Sequence, residues 1–249
     1  MHPGGIKMQV RLLTHTPNPD EVVAISAAMC TSMKNSNELI DNVNEYKERI
    51  IQNIKDSHHQ SLLEHISFTF IIVGLSRVSL AQLTRHRIAS FSVRSMRYTK
   101  VNETSENFYG NIEKERQELE LFNNQEAVNE LTQAYKDSYK HYEKLLELGV
   151  SKETARYTLP LSTKTNLILT MNGRELVHFL GLRMCSRAQR EIRELATSIS
   201  KILLVRAPIT FKGLVGPRCV QLGYCPEGKK SCGRYPTLAK LKEGIDNGK

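Results

Sequence analysis

Apolar and polar residues alternate over residues 66–72, a pattern typical of a strand that buries one face. One side of this strand would carry Ile66, Phe68, Phe70 and Ile72. Residues 8–14 and 163–170 alternate in the same way and are also predicted to be strands. The sequence therefore predicts a small sheet.

Helical spacing of apolar residues covers most of the remaining chain. Asn18, Pro19 and two acidic residues form a helix start, and the helix should run to about residue 34. Ser76 is suited to cap a helix that continues through Arg87, which would put the segment Arg85-His86-Arg87 at or near the C-terminal end of that helix. The other predicted helices cover residues 44–58, residues 112–147 with a candidate break at 123–124, and residues 174–204 as two helices ended by Pro208.

These elements predict an α+β fold, in which mixed helices pack on a small, mostly antiparallel sheet within a single compact domain. The chain has 249 residues, enough for a large core. Residues 1–215 would form the body of the domain. Residues 216–249 are a tail containing Cys, Gly and Pro, expected to belong to the same domain.

The chain is basic, with 35 Lys and Arg residues against 26 Asp and Glu and a formal net charge of +9. Such a charge attracts phosphates, on nucleic acid or on nucleotides. Arg156, Arg174 and Arg183 lie in apolar-flanked segments rather than in a Lys-rich tail, which favours nucleotides. No apolar run is long enough for a membrane span and residues 1–20 lack a signal-peptide pattern, so the expected location is the cytoplasm.

Residues 85–98 hold four arginines, one histidine and three serines in fourteen positions. Guanidinium groups pair in bidentate fashion with phosphate or carboxylate, so this density indicates a polyanionic small molecule. A solvated basic face is the alternative, but apolar residues such as Phe91 and Met96 interrupt the run. His86 lies between two arginines and is expected to be neutral because nearby cations disfavour its protonation.

Ser95 could act as a nucleophile or as a ligand of a phosphate or pyrimidine oxygen. A nucleophile needs a base within hydrogen-bond reach, and the neighbours Arg94, Met96 and Arg97 are not bases. A ligand needs only a well-placed hydroxyl. The sequence favours the ligand role.

Two groups of residues raise the question of a metal. His58, His59, Glu64 and His65 could suggest a metal hydrolase, but their offsets do not match the helical zinc motif, and no metal site is predicted there. Cys219, Cys225 and Cys232 cluster in the tail, where a closed zinc site would lack an obvious fourth ligand. Free thiols or a redox-labile pair are favoured over zinc, and Cys30 and Cys185 are expected to be packing residues.

The Arg85-His86-Arg87 triplet, seven spacer residues and Ser95 resemble the signature of the flavin-dependent thymidylate synthases. The resemblance extends over residues 8–215. It is carried further by the segments His59–Phe70, Ser76-Arg77, Gln82, Arg156 with Leu159-Pro160-Leu161, Asn172-Gly173-Arg174, Leu182-Arg183, Gln189 and Glu191.

The resemblance implies an enzyme that methylates dUMP to dTMP, with methylenetetrahydrofolate as one-carbon donor and NADPH-reduced FAD as hydride donor. It places Arg183, Ser95 and His59 at the reaction centre. It assigns FAD binding to His59, Glu64, Arg85, His86, Arg87, Ser92, Asn172, Arg174 and His178. It assigns dUMP binding to Gln82, Arg94, Ser95, Arg97, Arg156 and Arg183.

The resemblance further implies a homotetramer whose active sites draw residues from several subunits, with no nucleic-acid or membrane partner. Ser92, Val93 and His178 depart from residues common in the family, so the flavin contacts near them are open. No Gly-x-Gly-x-x-Gly fingerprint is present, and dinucleotides would be bound without it. A basic RNA- or DNA-binding protein is the competing function.

Overall fold

The computed structural model describes residues 8–101 and 124–246. Its sheet has four antiparallel strands in the order β1-β2-β4-β3. The strands are β1 (Gln9–His15), β2 (Ser67–Ser76), β3 (Ala89–Val93) and β4 (Lys164–Asn172).

Helices make up most of the remaining described chain. The first four are α1 (Pro19–Thr31), α2 (Ser36–Asp41), α3 (Val43–Asp56) and α4 (Arg77–Leu83). The later ones are α5 (Gln125–Glu147), α6 (Lys152–Ala155), α7 (Gly173–Arg183), α8 (Arg190–Arg206), α9 (Pro208–Phe211), α10 (Arg218–Leu222) and α11 (Leu238–Asp246). Short 3₁₀ turns cover Gln60–His65, Arg156–Thr158 and Gly228–Lys230.

The two central strands carry the most regular alternation of buried residues, as a strand with one fully covered face requires. Phe68, Phe70 and Ile72 of β2 are completely buried. The side-chain oxygen of Asn166 in β4 accepts a hydrogen bond from the backbone N–H of Gly74 at 3.0 Å, which helps to fix the register of the pair.

The chain forms two compact units, whose boundaries fall inside all four strands. Among the described residues, the first unit comprises 8–11, 71–85, 90–101 and 124–169. Its helical part packs around Tyr142, which is completely buried and accepts a hydrogen bond from the backbone N–H of Val101 at 3.2 Å. Because residues 94–101 join this core through Met96 and Val101, the arginine-rich segment is anchored at both of these positions.

The second unit comprises the described residues 12–70, 86–89 and 170–246. The buried ring of Phe68 meets that of Phe211 edge to face, with centroids 5.7 Å apart. The carboxylate of Asp20 accepts hydrogen bonds from the backbone N–H groups of Ile209 and Thr210, which satisfies donors at the start of α9. The N-terminal helix and the segment after α8 are thereby joined.

The predicted α+β class with a small antiparallel sheet is confirmed, whereas the separation of residues 1–215 from residues 216–249 stays a prediction. The prediction for residues 76–87 was too long: α4 ends at Leu83, so the Arg-His-Arg triplet lies in a turn. Strand β3 follows that turn and was missed. Residues 112–123 of the long predicted helix lie outside the described chain, and Asn124 caps the part that is described.

Two helices are observed between residues 173 and 206, as predicted, but Pro208 both follows the end of α8 and starts α9. Within the described residues, none of the helices combines the length and apolar character needed to cross a bilayer.

Candidate functional site

The second unit contains a groove with a volume of about 600 Å³, within the usual range for ligand sites. Residues from the first 3₁₀ turn, the triplet turn, α7 and α10 line it. They are Gln60, Glu64, Ile88, Asn172, Arg174, Glu175, Val177, His178, Arg218 and Gln221. We call this cavity the α7 groove.

Helix α7 begins at the groove because Asn172 caps its first turn. Gly173, the next residue, lies in close contact with the segment that contains Leu63 and Ile66. The Asn172 side-chain oxygen accepts a hydrogen bond from the backbone N–H of Glu175 at 2.8 Å. A Cβ on Gly173 would lie 2.7 Å from the Leu63 carbonyl oxygen and 2.8 Å from Ile66 Cγ1. Because glycine has no side chain, the start of α7 can pack directly against the 3₁₀ turn that carries Glu64.

This close approach pairs the two charged residues at the edge of the groove. The guanidinium of Arg174 donates a hydrogen bond to the carboxylate of Glu64. His178 lies one helical turn beyond Arg174 and is also exposed. Arg174 and His178 therefore present adjacent polar groups to the groove, as the predicted roles require.

Below this exposed face, the central histidine of the triplet is buried in a hydrogen-bonded chain. His86 Nδ1 lies 2.8 Å from Glu175 Oε1, and Arg183 Nε donates to His86 Nε2 at 3.2 Å. Because Arg183 can only donate, Nε2 must be the unprotonated acceptor and Nδ1 carries the proton that goes to Glu175. We call Arg183, His86 and Glu175 the His86 chain.

Burial lowers the pKa of His86, and the positive charge of Arg183 lowers it further, while the hydrogen bond to Glu175 opposes both effects. The expectation of a neutral imidazole agrees with this direction. The reason differs, because burial is the main cause and the contributing arginine is Arg183 rather than Arg85 or Arg87. The outer arginines of the triplet are both exposed.

His86, Glu175 and His178 have ligand atoms that all lie within 4.8 Å of one another, a spacing that could suit a metal. Both ring nitrogens of His86 are already engaged, however, and one of them accepts from a cation. The rings of His86 and His178 meet edge to face at 5.7 Å. This arrangement supports hydrogen bonding and ring packing rather than metal ligation.

Helix α10 contributes Arg218, a groove residue that sequence reasoning missed. The aliphatic part of the Arg218 side chain packs on Gly181, where an added Cβ would lie 3.1 Å from Arg218 Cγ. The side-chain amide of Gln221 donates to the Leu214 carbonyl at 2.9 Å and lies within 3.4 Å of the Val177 and Gly216 carbonyls, which fixes α10 against α7. Among the described residues, Arg218 has neither a hydrogen bond nor an ion pair.

In the first unit, the predicted nucleotide ligands are held in a different manner. Arg97 forms an ion pair with Glu153, with its Nε 2.8 Å from Oε1 and its Nη2 3.3 Å from Oε2. Arg156 Nε donates to the backbone carbonyl of Glu153 at 3.0 Å. Ser95 Oγ accepts a hydrogen bond from the backbone N–H of Arg97 at 3.2 Å. We call Ser95, Arg97, Glu153 and Arg156 the Arg97 cluster.

Arg77 supports this segment from below. Its Nη2 donates to the carbonyl of Arg94 at 3.1 Å, and its Nε is buried without a hydrogen-bond partner among the described residues. Burial lowers the pKa of Arg77, and the charge of Arg156 adds to the effect. The guanidinium of Arg156 is therefore close enough to that of Arg77 for the two charges to repel each other. Such a pair favours an anion between or beside the two groups.

The structure divides the predicted site residues between the two units. Four of the nine predicted FAD ligands line the α7 groove, namely Glu64, Asn172, Arg174 and His178. His59, His86, Arg87 and Arg183 belong to the same unit, with His59 and Arg87 exposed. The other unit holds Gln82, Arg85, Ser92, Arg94, Ser95, Arg97 and Arg156.

Sequence reasoning missed Glu175, Arg218 and Glu153. An acidic residue three positions after the cap Asn172 is a recognised helix-start signal and could have drawn attention to Glu175. Arg218 lies beyond the segments that carry the family resemblance. The pairing of Glu153 with Arg97 spans 56 residues, and no local pattern marks it.

Comparison with known proteins gives the family. Residues 11–209 match the family model described as thymidylate synthase complementing protein. The chain is 38% identical to the flavin-dependent thymidylate synthase of Geobacter sulfurreducens, over 94% of this chain and 97% of that protein. It is 41% identical to the enzyme of the same name from Thermococcus onnurineus, over 90% and 91% of the two chains.

A crystal structure of a UMP/dUMP methylase from Streptomyces cacaoi, bound with 5-Br dUMP, is similar in fold, with a TM-score of 0.68 and 28% identity. The similarity covers 85% of this chain and 98% of that one. Since the family model spans most of the chain and the relatives align over nearly their whole length, the chain belongs to the thymidylate synthase complementing protein family, together with the flavin-dependent thymidylate synthases.

Proposed function

We propose that this protein is a flavin-dependent thymidylate synthase that methylates dUMP to dTMP. The one-carbon donor is methylenetetrahydrofolate, and the flavin is FAD, reduced by NADPH. The observation that carries the proposal is the α7 groove, where four predicted FAD ligands from two distant parts of the sequence line one cavity. Family membership supports the same activity.

The donor set of the groove suits a flavin dinucleotide. A diphosphate needs cations and amide donors, which Arg174, Arg218 and Asn172 can supply, and Ile88 and Val177 offer apolar surface for a ring. When bound, reduced flavin supplies the hydride that completes the new methyl group. The side chains of the α7 groove orient the cofactor and neutralise its charge.

The His86 chain fixes the hydrogen-bonding surface beneath the groove. A neutral His86 held by Glu175 and Arg183 keeps the guanidinium of Arg183 in one orientation. Arg183 is thereby prepared to bind an anionic substrate without reorganisation, which lowers the barrier more than a mobile cation would.

The Arg97 cluster binds the 5′-phosphate of dUMP. Arg97 and Arg156 provide charge, and the Ser95 hydroxyl donates a hydrogen bond while its oxygen accepts from the Arg97 amide. Among the described residues, no carboxylate or imidazole lies within hydrogen-bond distance of Ser95 Oγ. Ser95 therefore acts as a ligand, and Ser95→Ala should weaken dUMP binding yet still form dTMP.

A flavin-loading experiment tests this function. The purified protein is incubated with FAD, separated from free FAD by gel filtration, and assayed for dTMP formation with dUMP, methylenetetrahydrofolate and NADPH. We expect a yellow protein with about one FAD per chain that forms dTMP, as the cofactor's role requires. A colourless protein that forms no dTMP would overturn the proposal.

The active protein is proposed to be a homotetramer with shared active sites, located in the cytoplasm. Light scattering tests the assembly directly. A monomer with full activity would contradict it.

A further inference from the structure

Four of the five cysteines line one cavity, outside the α7 groove. Cys185 follows the end of α7, Cys219 lies on α10, and Cys225 and Cys232 come from the loop after α10. The cavity has a volume of about 70 Å³, small enough to be filled by an ion and its ligands rather than by an organic cofactor. We call it the thiol cavity.

Cys185 changes the interpretation of the tail. The sequence offered three clustered cysteines and no fourth ligand, and Cys185 was expected to be a packing residue. The fold instead places it at the same cavity as the other three thiols. Cys30, the remaining cysteine, is exposed on α1 and does not line this cavity.

The loop that carries two of these thiols has little apolar packing to hold it. Cys225 is the only buried residue among positions 223–244, and Cys219 is also buried. The loop is tied by one backbone bridge from Cys225 to Thr237 and by half-exposed contacts of Arg187 with Glu227 and Lys230. Exposed contacts of this kind contribute little, so a crosslink through the thiols would supply the missing stability.

We propose that Cys185, Cys219, Cys225 and Cys232 form a structural zinc site. Four thiolates are the ligand set of closed tetrahedral zinc centres. Binding exchanges four thiol protons for one Zn²⁺ and requires no oxidant, whereas two disulfides would require one. The resulting centre has a charge of −2.

The surroundings of the cavity suit such a centre. Arg187, Arg218 and Arg234 line the same cavity, and their guanidinium groups stabilise negative charge on the sulfurs. In a tetrahedral site with zinc–sulfur bonds of about 2.3 Å, neighbouring sulfurs lie about 3.8 Å apart. No three of these thiols are that close together in the described chain, so the loop at 223–234 must close around the ion.

The site would also position the groove. Helix α10 carries both Cys219 and Arg218, so a metal that fixes Cys219 also fixes the arm that reaches the α7 groove. The zinc is structural in this assignment.

Metal analysis of the purified protein tests the site. After expression with added zinc and purification under reducing conditions, we expect about one tightly bound zinc per chain. Cys225→Ser and Cys232→Ser should each reduce the zinc content at least about tenfold, since a closed site needs all four ligands. Cys30→Ser is the matched thiol control, and His178→Asn controls for the other candidate cluster; both should retain zinc.

Cobalt titration of the unchanged protein keeps the proposal testable if the serine variants fail to fold. Tetrahedral Co²⁺ with four thiolates gives intense charge-transfer and d–d absorption, and added zinc should abolish it. Wild-type protein without zinc and without thiolate bands on cobalt addition would overturn the proposal. Zinc retained fully by folded Cys225→Ser, or mass spectrometry showing these cysteines as disulfides in the active protein, would also overturn it.

Discussion

The His86 chain and the Arg97 cluster each contain arginine and glutamate, but in opposite environments. The side chains of His86 and Glu175 are 3% and 8% exposed, whereas those of Arg97 and Glu153 are 50% and 49% exposed. Burial of the first pair fixes one protonation state and one orientation, because an unpaired polar group there is costly. The second pair remains in contact with water, so a ligand can compete for Arg97. The protein thus combines a buried, fixed hydrogen-bonded chain with a hydrated ion pair.

The largest expected effect follows from removing the arginine of the buried chain. Arg183→Ala leaves His86 Nε2 buried without its donor, which should lower the free energy of unfolding by about 1–3 kcal/mol. The rate of dTMP formation should fall at least about tenfold, since about 1.4 kcal/mol of lost stabilisation suffices. Urea unfolding and product analysis measure the two effects.

Arg206→Ala is the matched control for this variant, because Arg206 is exposed in the last turn of α8 and outside the α7 groove. Equal free energies of unfolding for the two variants would show that Arg183 contributes no more to stability than an arginine on the surface.

The second largest effect is expected from removing the side chain of Arg218 on α10. Arg218→Ala should weaken FAD binding by about tenfold, because one charge-assisted hydrogen bond to a phosphate is lost while the groove keeps its shape. Fluorescence titration with FAD measures the change, and Arg206→Ala again serves as control. Unchanged affinity would exclude Arg218 from the flavin site.

A smaller effect should appear in the pH dependence of stability. The pKa of His86 is lowered in the folded protein below its ordinary value of 6.5, so the unfolded chain binds more protons as the pH falls below 6.5. The contribution of the neutral histidine is therefore complete above pH 6.5 and declines on acidification. Unfolding midpoints between pH 7.5 and 5.5 measure this decline.

Two histidine variants separate His86 from its neighbour. His86→Asn should flatten the acid side of the profile, whereas His178→Asn, which replaces an exposed histidine, should leave it in place. An unchanged profile in His86→Asn together with a flattened profile in His178→Asn would show that His86 does not cause the loss of stability in acid.

The smallest effect is expected at the exposed pair. Glu153→Gln should lower the free energy of unfolding by less than about 1 kcal/mol, because half-exposed ion pairs are screened and well hydrated. Urea unfolding at low and high salt checks this, and the difference from wild type should shrink with salt. A loss as large as that of Arg183→Ala would remove the distinction between the two regions.

Local patterns were sufficient to predict much of the fold. The alternation at residues 66–72 predicted β2, and the helical periodicity over residues 174–204 predicted α7 and α8. Strand β3 was missed although Ala89, Phe91 and Val93 alternate with two serines, because the run is only five residues long and lies between two groups of arginines.

The candidate site was predictable only where a local motif was present. The triplet and the Asn172-Gly173-Arg174 segment could be identified, whereas the partner of His86 could not, because Glu175 lies 89 residues away. Arg218 was also missed, since it reaches the groove through the packing of α10 on Gly181. Neither long-range pairing leaves a periodic signal in the sequence.

An anaerobic single-turnover experiment tests whether hydride passes from the reduced flavin to the nucleotide. FAD-loaded protein is reduced with one equivalent of NADPH, then mixed with dUMP and methylenetetrahydrofolate while flavin absorbance and dTMP are followed together. We expect that flavin reoxidation requires both substrates and produces about one dTMP per flavin, since the hydride passes to the nucleotide. Reoxidation without dTMP, or dTMP formation with the flavin remaining reduced, would contradict it.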